Sequence, residues 1–306
     1  MKEKQNLYPT FSDIEGQIHK CEYANNYLNI SLLDKYCHSS QSDGFSIKYV
    51  EDGLERYYVN RSCFEIGPQS YLLFNGTHDV RVEIDSPKHV KGVCLTISNE
   101  LVSEIIASLL QPGSLHPDAG VSSFFYTSNF LENQYSAAGN ALGEELLSLS
   151  RVITHGGLAL NEINNELFYT VAQKLVAEQV RVFRQLQYIP SIKSETRKEL
   201  FRRVNKGKEF MDAAYISALS IEQIAREASM SEYHFFRLFK KVFGTSPHQY
   251  IIKKRLELAT RLLQQGCPVS RTAFDCGFSD IFSFSKAFKK FYGVSPSSLI
   301  PGKTNY

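Results

Sequence analysis

Near its C-terminus the chain states one pattern twice. Phe239-Lys240-Lys241-Val242-Phe243-Gly244-Thr245-Ser246-Pro247 returns 49 residues later as Phe288-Lys289-Lys290-Phe291-Tyr292-Gly293-Val294-Ser295-Pro296. A helical unit with paired lysines, made in duplicate, fits a partner that also repeats. Double-stranded DNA is the obvious one, because its major groove comes round again about every 34 Å along the axis.

Charge divides the chain near the same place. The 34 Lys and Arg against 32 Asp and Glu leave a net charge of only +2. From Glu195 onward, however, there are 19 basic and 10 acidic residues, and the first 194 residues hold the remaining 15 and 22. A basic third joined to an acidic remainder fits a polyanion-binding module attached to a domain that avoids phosphate. The 306 residues suffice for two domains, each with its own core. Tyr188 to Ser194, with Pro190 and three Ser or Lys residues, is the best linker. The expected division is a front domain over 1–190, a linker over 191–196 and a DNA-binding domain over 197–306.

Cys21, Cys37, Cys63, Cys94, Cys267 and Cys276 form no C-x-x-C pair, which argues against a zinc knuckle and a disulfide framework and suits a reducing cytoplasm. Met1 to Asn6 leads into polar sequence without a signal core, and nowhere do about 18 apolar residues run together. A soluble, cytoplasmic protein with no membrane partner is expected.

Residues 45–97 read as strands. Phe45, Ile47 and Tyr49 alternate with polar neighbours, Asp52-Gly53 signals a hairpin, and Arg56 to Val59 resumes the extended pattern. Gly67-Pro68 and Asn75-Gly76 supply turns before Val80 to Ile84 and Val90 to Ile97. So many short strands predict a small antiparallel barrel or sandwich. Ser98 then caps a helix to Leu110, Asn133 to Ile153 reads as helical, and after Gly156-Gly157 a long helix carries Leu160, Ile163, Leu167, Val171 and Leu175. That stripe serves either core packing or the pairing of two copies of the chain.

From Arg197 the chain is helical. A first helix runs to Tyr215, Ser220 caps a second, and Ser246-Pro247 opens a longer one reaching Gln264. On either side of it stands a helix-turn-helix, which needs a small residue where its helices cross, a tight turn, and a second helix with one apolar face. The first copy offers Ala225, Ser229 and the apolar face Phe235, Leu238, Phe239, Val242. The second offers Ala273, Gly277 and the face Phe284, Phe288, Phe291, with its turn one residue longer.

Over Arg203 to Pro301 the sequence resembles the AraC/XylS family of bacterial transcription regulators. The resemblance rests on Ser231 to Lys240, Gly244 to Tyr250, Arg255-Leu256-Glu257-Leu258-Ala259, and Gly277-Phe278-Ser279-Asp280 running into Phe284 to Lys290. It implies a single-chain, two-headed DNA reader, with base contacts from Tyr233, His234, Phe236 and Arg237 in one head and from Ile281, Phe282, Ser283, Ser285 and Lys286 in the other. A guanidinium bonds guanine O6 and N7 together, so Arg237 is the best base reader, while Phe236 and Phe282 suit thymine methyl groups or burial against a neighbouring helix. Ser231, Lys240, Lys241, Ser279, Lys289 and Lys290 suit phosphates, which set register without reading sequence. Two positions depart from the family pattern. Ser229 replaces a turn glycine and Thr272 replaces Ile, so both turns are expected to be less stable than is usual in the family.

Proteins of this kind often carry a cupin-like β-barrel in front, and the strand-rich half agrees with one. The expected fold is therefore α+β with two domains, a cupin-like antiparallel barrel with appended helices and an all-α double helix-turn-helix. Tyr49, Arg56, Tyr58, His78 and Arg81 are the candidate effector-pocket residues, although alternation does not say which sheet face points inward. No H-x-H pair occurs, so no metal, cofactor or catalytic residue is assigned. The leading expectation is a transcription activator controlled by a small molecule or by homodimerisation, with RNA polymerase as a further partner. The alternatives are a metal-dependent cupin enzyme fused to a DNA-binding tail and a general DNA-packing factor.

Overall fold

The computed structural model describes residues 9–41, 43–60, 62–76, 78–109, 120–156, 158, 160–191 and 193–301. The chain divides into two compact units, Met1–Arg184 and Gln185–Tyr306.

The first unit is built on an antiparallel sheet of eight strands: β1 (Ile18–Tyr23), β2 (Asn26–Gln41), β3 (Phe45–Asp52), β4 (Glu55–Val59), β5 (Ser62–Ile66), β6 (Ser70–Asn75), β7 (Asp79–Ile97) and β8 (Asn133–Ser136). Ala24 and Asn25 turn β1 into β2 with both residues in the left-handed region, as a two-residue hairpin turn requires. The Asn26 amide closes that turn on the carbonyls of Tyr23 and Ala24.

Val80 to Ile84 and Val90 to Ile97, expected as two strands, are the two ends of the single strand β7. Its register against β2 breaks in the middle, where Leu33 faces Val90 but Lys35 faces Asp85. The extra residues Ser86 to His89 form a bulge containing Pro87, which has no N–H to give to a ladder and is tolerated there. At the bulge β7 also changes its other neighbour. Residues 80–83 pair with β4 and residues 91–97 with β3.

The sheet is antiparallel, as expected, but its pairing path, β1-β2-β7-β3-β6-β8 with β4 and β5 branching from β7, does not close into a barrel among the described residues. The bend at the bulge instead folds the sheet over an apolar core, in which Leu33, Val50, Tyr57, Phe64, Leu72, Phe74 and Val90 meet.

Helices follow: α1 (Asn99–Leu109), α2 (Val121–Tyr126), α3 (Ala141–His155) and α4 (Asn165–Gln187). Ser98 caps α1 as expected, its Oγ accepting from the Leu101 N–H at 3.2 Å; Leu110 lies outside the described residues. The helix expected from Asn133 begins only at Ala141, capped by Asn140, because residues 133–136 pair with β6 and the Tyr135 ring stacks on Tyr71 at 5.5 Å. Likewise Leu160 and Ile163 lie ahead of α4, which Asn164 caps; Gly157 is outside the described residues. The buried apolar residues of α4 are Phe168, Val171, Ala172, Leu175, Val176, Val182 and Leu186, and Leu167 is half-buried. No helix among the described residues is long and apolar enough to cross a membrane.

Among its described residues the second unit holds six α-helices, α5 (Ser194–Ala214), α6 (Ile221–Glu227), α7 (Glu232–Phe243), α8 (Pro247–Gln264), α9 (Val269–Asp275) and α10 (Ile281–Tyr292). α5 starts three residues ahead of the expected Arg197. Side-chain caps set the starts of α6, α7, α8 and α10, whereas α9 follows Pro268 without one. Ser220 and Ser246 make capping boxes with Gln223 and Gln249, and Pro247 takes the first position of α8. Two helix pairs, α6–α7 and α9–α10, flank the connector α8. At 18 residues, α8 is about 27 Å long.

Candidate nucleic-acid interface

Each pair has the geometry a helix-turn-helix needs. Ala225 and Ala273 are buried where the helices cross. In the first turn Ser229 takes φ +52°, and in the second Gly277 takes φ +79°. A side chain at Gly277 would bring a Cβ within 2.1 Å of the Ile216 carbonyl oxygen, so the second turn admits glycine alone. Thr272, buried in α9, is satisfied without Ile: its hydroxyl donates to the Pro268 carbonyl at 3.0 Å.

The recognition helices α7 and α10 each bury one face and offer the other. In α7, Phe235, Leu238, Phe239 and Val242 are buried, while Tyr233, His234, Phe236, Arg237, Lys240 and Lys241 are exposed. The Arg237 guanidinium lies 5.3 Å from the Tyr233 ring and donates to its hydroxyl at 3.0 Å, so the two side chains stand together on the outer face. In α10, Phe284 and Phe288 are buried. Phe291, expected in that stripe, is 49 % exposed, because it falls in the last turn and meets Tyr292 edge-on instead of the core.

Phe282 is 87 % exposed and Phe236 42 %, so neither is buried against a neighbouring helix. Ile281 and Lys286 are exposed and Ser285 half-buried. Ser231 caps α7, accepting from the His234 N–H. Asp280 caps α10: its carboxylate accepts from the Ser283 N–H at 2.7 Å and from the hydroxyls of Ser283 and Ser279 at 2.6 and 3.1 Å. The Ser283 bonds, its side chain first, hold the Asp280 carboxyl below the usual value. Both serines are thus engaged with the cap in the free protein. Lys240, Lys241, Lys289 and Lys290 occupy the last turns of their helices, where positive charge also complements the helix dipole.

Asp280 and Arg255 were in the sequence motifs, but nothing in their spacing marks what they do. Arg255, on α8, donates to three backbone carbonyls: Tyr215 at 2.6 Å, Ser217 at 2.9 Å and Gly277 at 2.6 Å.

In the first unit Tyr58 and Arg81 face each other across β4 and β7, with the guanidinium 5.8 Å from the ring, and line one surface pocket, while Arg56 and Arg81 line another; Tyr49 and His78 line neither. A cavity of about 450 Å³ lies within the folded sheet, and its lining includes Lys48, Glu55, Tyr57, Val80 and Val82, each next in sequence to a candidate. Side chains alternate across a strand, so Tyr49, Arg56, Tyr58 and Arg81 belong to the opposite face. Tyr49 is buried there and donates to Glu51, which also accepts from Ser150 of α3. Arg56 and Arg81 pair on the surface with Glu65 and Glu83. His78 is buried between Asn60, 2.8 Å from its Nδ1, and the Glu132 carboxylate, 3.8 Å from its Nε2.

Residues 224–300 match the helix-turn-helix domain family. The probable transcriptional regulator LumQ of Photobacterium leiognathi is 41 % identical over 80 residues, covering 26 % of this chain and 32 % of that protein. The Msm operon regulatory protein of Streptococcus mutans is 29 % identical over 149 residues, 48 % of this chain and 52 % of its own. A crystal structure of a Chromobacterium violaceum transcriptional regulator with an AraC-type DNA-binding domain is 27 % identical, covering 33 % of this chain and 95 % of that one, with a TM-score of 0.30. The chain spans about half the length, or less, of these curated relatives. Its C-terminal part, residues 224–300, is thus a helix-turn-helix domain similar to those of transcriptional regulators.

Proposed function

We propose that the chain is a sequence-specific, double-stranded-DNA-binding transcription regulator that works in the cytoplasm as an activator, with RNA polymerase as its further partner. In this reading the front domain is no enzyme. It either takes a small-molecule effector or pairs two copies of the chain. One observation carries the reading: two recognition helices each bury one face and expose the other, joined by a single connector helix. Tyr233, His234, Phe236 and Arg237 read bases in one groove segment, and Ile281, Phe282, Ser283, Ser285 and Lys286 in the next. Ser231, Lys240, Lys241, Ser279, Lys289 and Lys290 hold phosphates.

No three His, Cys, Asp or Glu side chains among the described residues stand together as a metal-ligand set, so no observation favours the metal-dependent alternative. Competition between a selected site and random DNA at fixed salt tests the proposal. A regulator discriminates by about 10³-fold or more, whereas a packing factor held only by phosphates does not. The footprint of one chain is expected to span two half-sites about 10 base pairs apart. Protection of a single half-site per chain overturns the two-headed reading.

A further inference from the structure

The cavity in the folded sheet is a built polar site with an apolar roof. Its floor is made by neighbouring strands. On β7, Cys94 faces Asn29 of β2 on one side and Lys48 of β3 on the other, and Gly92 faces Ser31. The Lys48 ammonium donates to the Cys94 sulfur at 2.6 Å. Glu55, only 4 % exposed, accepts from the Tyr57 hydroxyl at 2.5 Å through one carboxylate oxygen. Its other oxygen lies over Gly92, where a Cβ would come within 2.5 Å of it and 2.6 Å of the Ser31 hydroxyl. The missing side chain at residue 92 is what lets the carboxylate reach the floor. Asn29 Oδ1 is buried with no hydrogen-bond partner.

These groups define a ligand by what they lack. Asn29 Oδ1 is an acceptor in want of a donor, and burial drives the Glu55 carboxyl above its usual value despite the Tyr57 hydrogen bond and the Lys48 charge. A ligand cation offsets that penalty. A cation alone, however, meets the ammonium groups of Lys48 and Lys20, which also lines the cavity. An anion alone meets Glu55 and leaves Asn29 without a donor.

We propose that this cavity binds an amino-acid-like zwitterion with an apolar or aromatic side chain. Its ammonium sits against Glu55 and Asn29, its carboxylate against Lys48, and its side chain under Leu33, Phe74 and Ile84, which close the apolar part. Gly92, under the Glu55 carboxylate, and Cys94, beside the Lys48 ammonium, are two residues apart, about 7 Å along the strand between their Cα atoms. An α-amino acid, with its charged groups about 3 Å apart and a hydrogen bond of about 2.9 Å at each end, bridges that span. The inference deepens the effector reading above and rests on it.

Calorimetric titration of the full chain tests the class, with L-leucine, L-isoleucine, L-phenylalanine and L-tyrosine as probes beside leucinamide, 4-methylpentanoate, glucose and decanoate. At least one of the four amino acids is expected to bind. Where it is L-leucine, the single-charge analogues leucinamide and 4-methylpentanoate bind at least about tenfold more weakly. Glu55→Gln should remove the advantage conferred by the ammonium, and Lys48→Met that conferred by the carboxylate. The comparison of probes on the parent chain stands even if a variant misfolds. Tighter binding of glucose or decanoate, or no heat from any of the four amino acids, overturns the ligand class. Amino-acid binding that leaves DNA affinity unchanged keeps the class and sinks the effector reading. A DNA complex that responds to cell metabolites, from a chain that binds none of the four, does the reverse.

Discussion

The guanidinium of Arg255 donates to the carbonyl of Gly277 at 2.6 Å, and from the same side chain to Tyr215 and Ser217. One residue of the connector helix thus ties the loop entering the first helix-turn-helix to the turn of the second. Arg255→Ala leaves three carbonyls without their donor and is expected to cost about 2–4 kcal/mol of stability. Its larger effect should fall on DNA carrying both half-sites, because the angle between the heads is no longer fixed. Lysine, a single point charge, should restore little of this. Anisotropy titrations with one-half-site and two-half-site duplexes decide it, and equal losses on both would refute the coupling.

Ser229 occupies a left-handed conformation that costs a non-glycine residue about 1 kcal/mol or more. Ser229→Gly should raise stability by about 0.5–1 kcal/mol, part of the gain being returned to the freer unfolded chain. A denaturation midpoint unchanged or lowered by the substitution contradicts this.

Arg237 and Lys241 stand on one helix with different tasks assigned. Arg237→Ala should cost about 1–3 kcal/mol and relax preference at one base pair, while Lys241→Ala should weaken every sequence alike and lower the salt slope by about one. Binding arrays at two salt concentrations separate the two patterns. If the arginine variant discriminates bases as the parent does, Arg237 is not a reader.

Phe282 is the most exposed large apolar side chain among the described residues and has no hydrogen bond to offer a base. If it packs on a thymine methyl, replacing that thymine by uracil in the second half-site should weaken the parent by about 1 kcal/mol and leave Phe282→Ala unaffected. Equal sensitivity of both proteins would rule out the contact.

Asp212 accepts from Lys208 at 2.8 Å and Tyr250 at 2.7 Å, with Lys254 3.0 Å away. Burial alone would raise its pKa, but the Lys208 and Lys254 charges and the hydrogen bonds from Lys208 and Tyr250 hold it below the usual 3.8. Its folded value lies below its unfolded one, so the stabilisation is complete above about pH 4 to 5 and is lost as pH falls through the folded value. Asp212→Asn should flatten the acid limb of the stability profile below pH 4, and an unchanged limb would show that other carboxylates control it.

The DNA-binding half was legible because its signals are local. Ser220, Ser231 and Ser246 sit at caps, Pro247 at a first helical position, and the apolar face of α7 falls where three- and four-residue spacing puts it. Phe291 was misjudged because spacing does not say where a helix runs out of neighbours. In the front half Tyr49 and Lys48 are equally good strand residues, and only the fold of the sheet decides which faces the cavity. For that reason the neighbours of Tyr49, Arg56, Tyr58 and Arg81 line the cavity between the strands, while Arg56, Tyr58 and Arg81 themselves line pockets on the opposite face. β2 escaped notice because its second half, Asp34 to Gln41, is polar, and residues 133–136 because partners distant in sequence overrode a helical pattern.

Strand β7 supplies the cavity with residues from both its ends and pairs with β2 across sequence separations that run from Gln41–Asp79 up to Tyr27–Thr96. During synthesis none of these ladders can finish until Ile97 has left the ribosome, whereas each helix-turn-helix needs only neighbours close in sequence. Contacts that span long stretches of chain form slowly. The first half made is therefore expected to be the last to mature, and to depend most on chaperones.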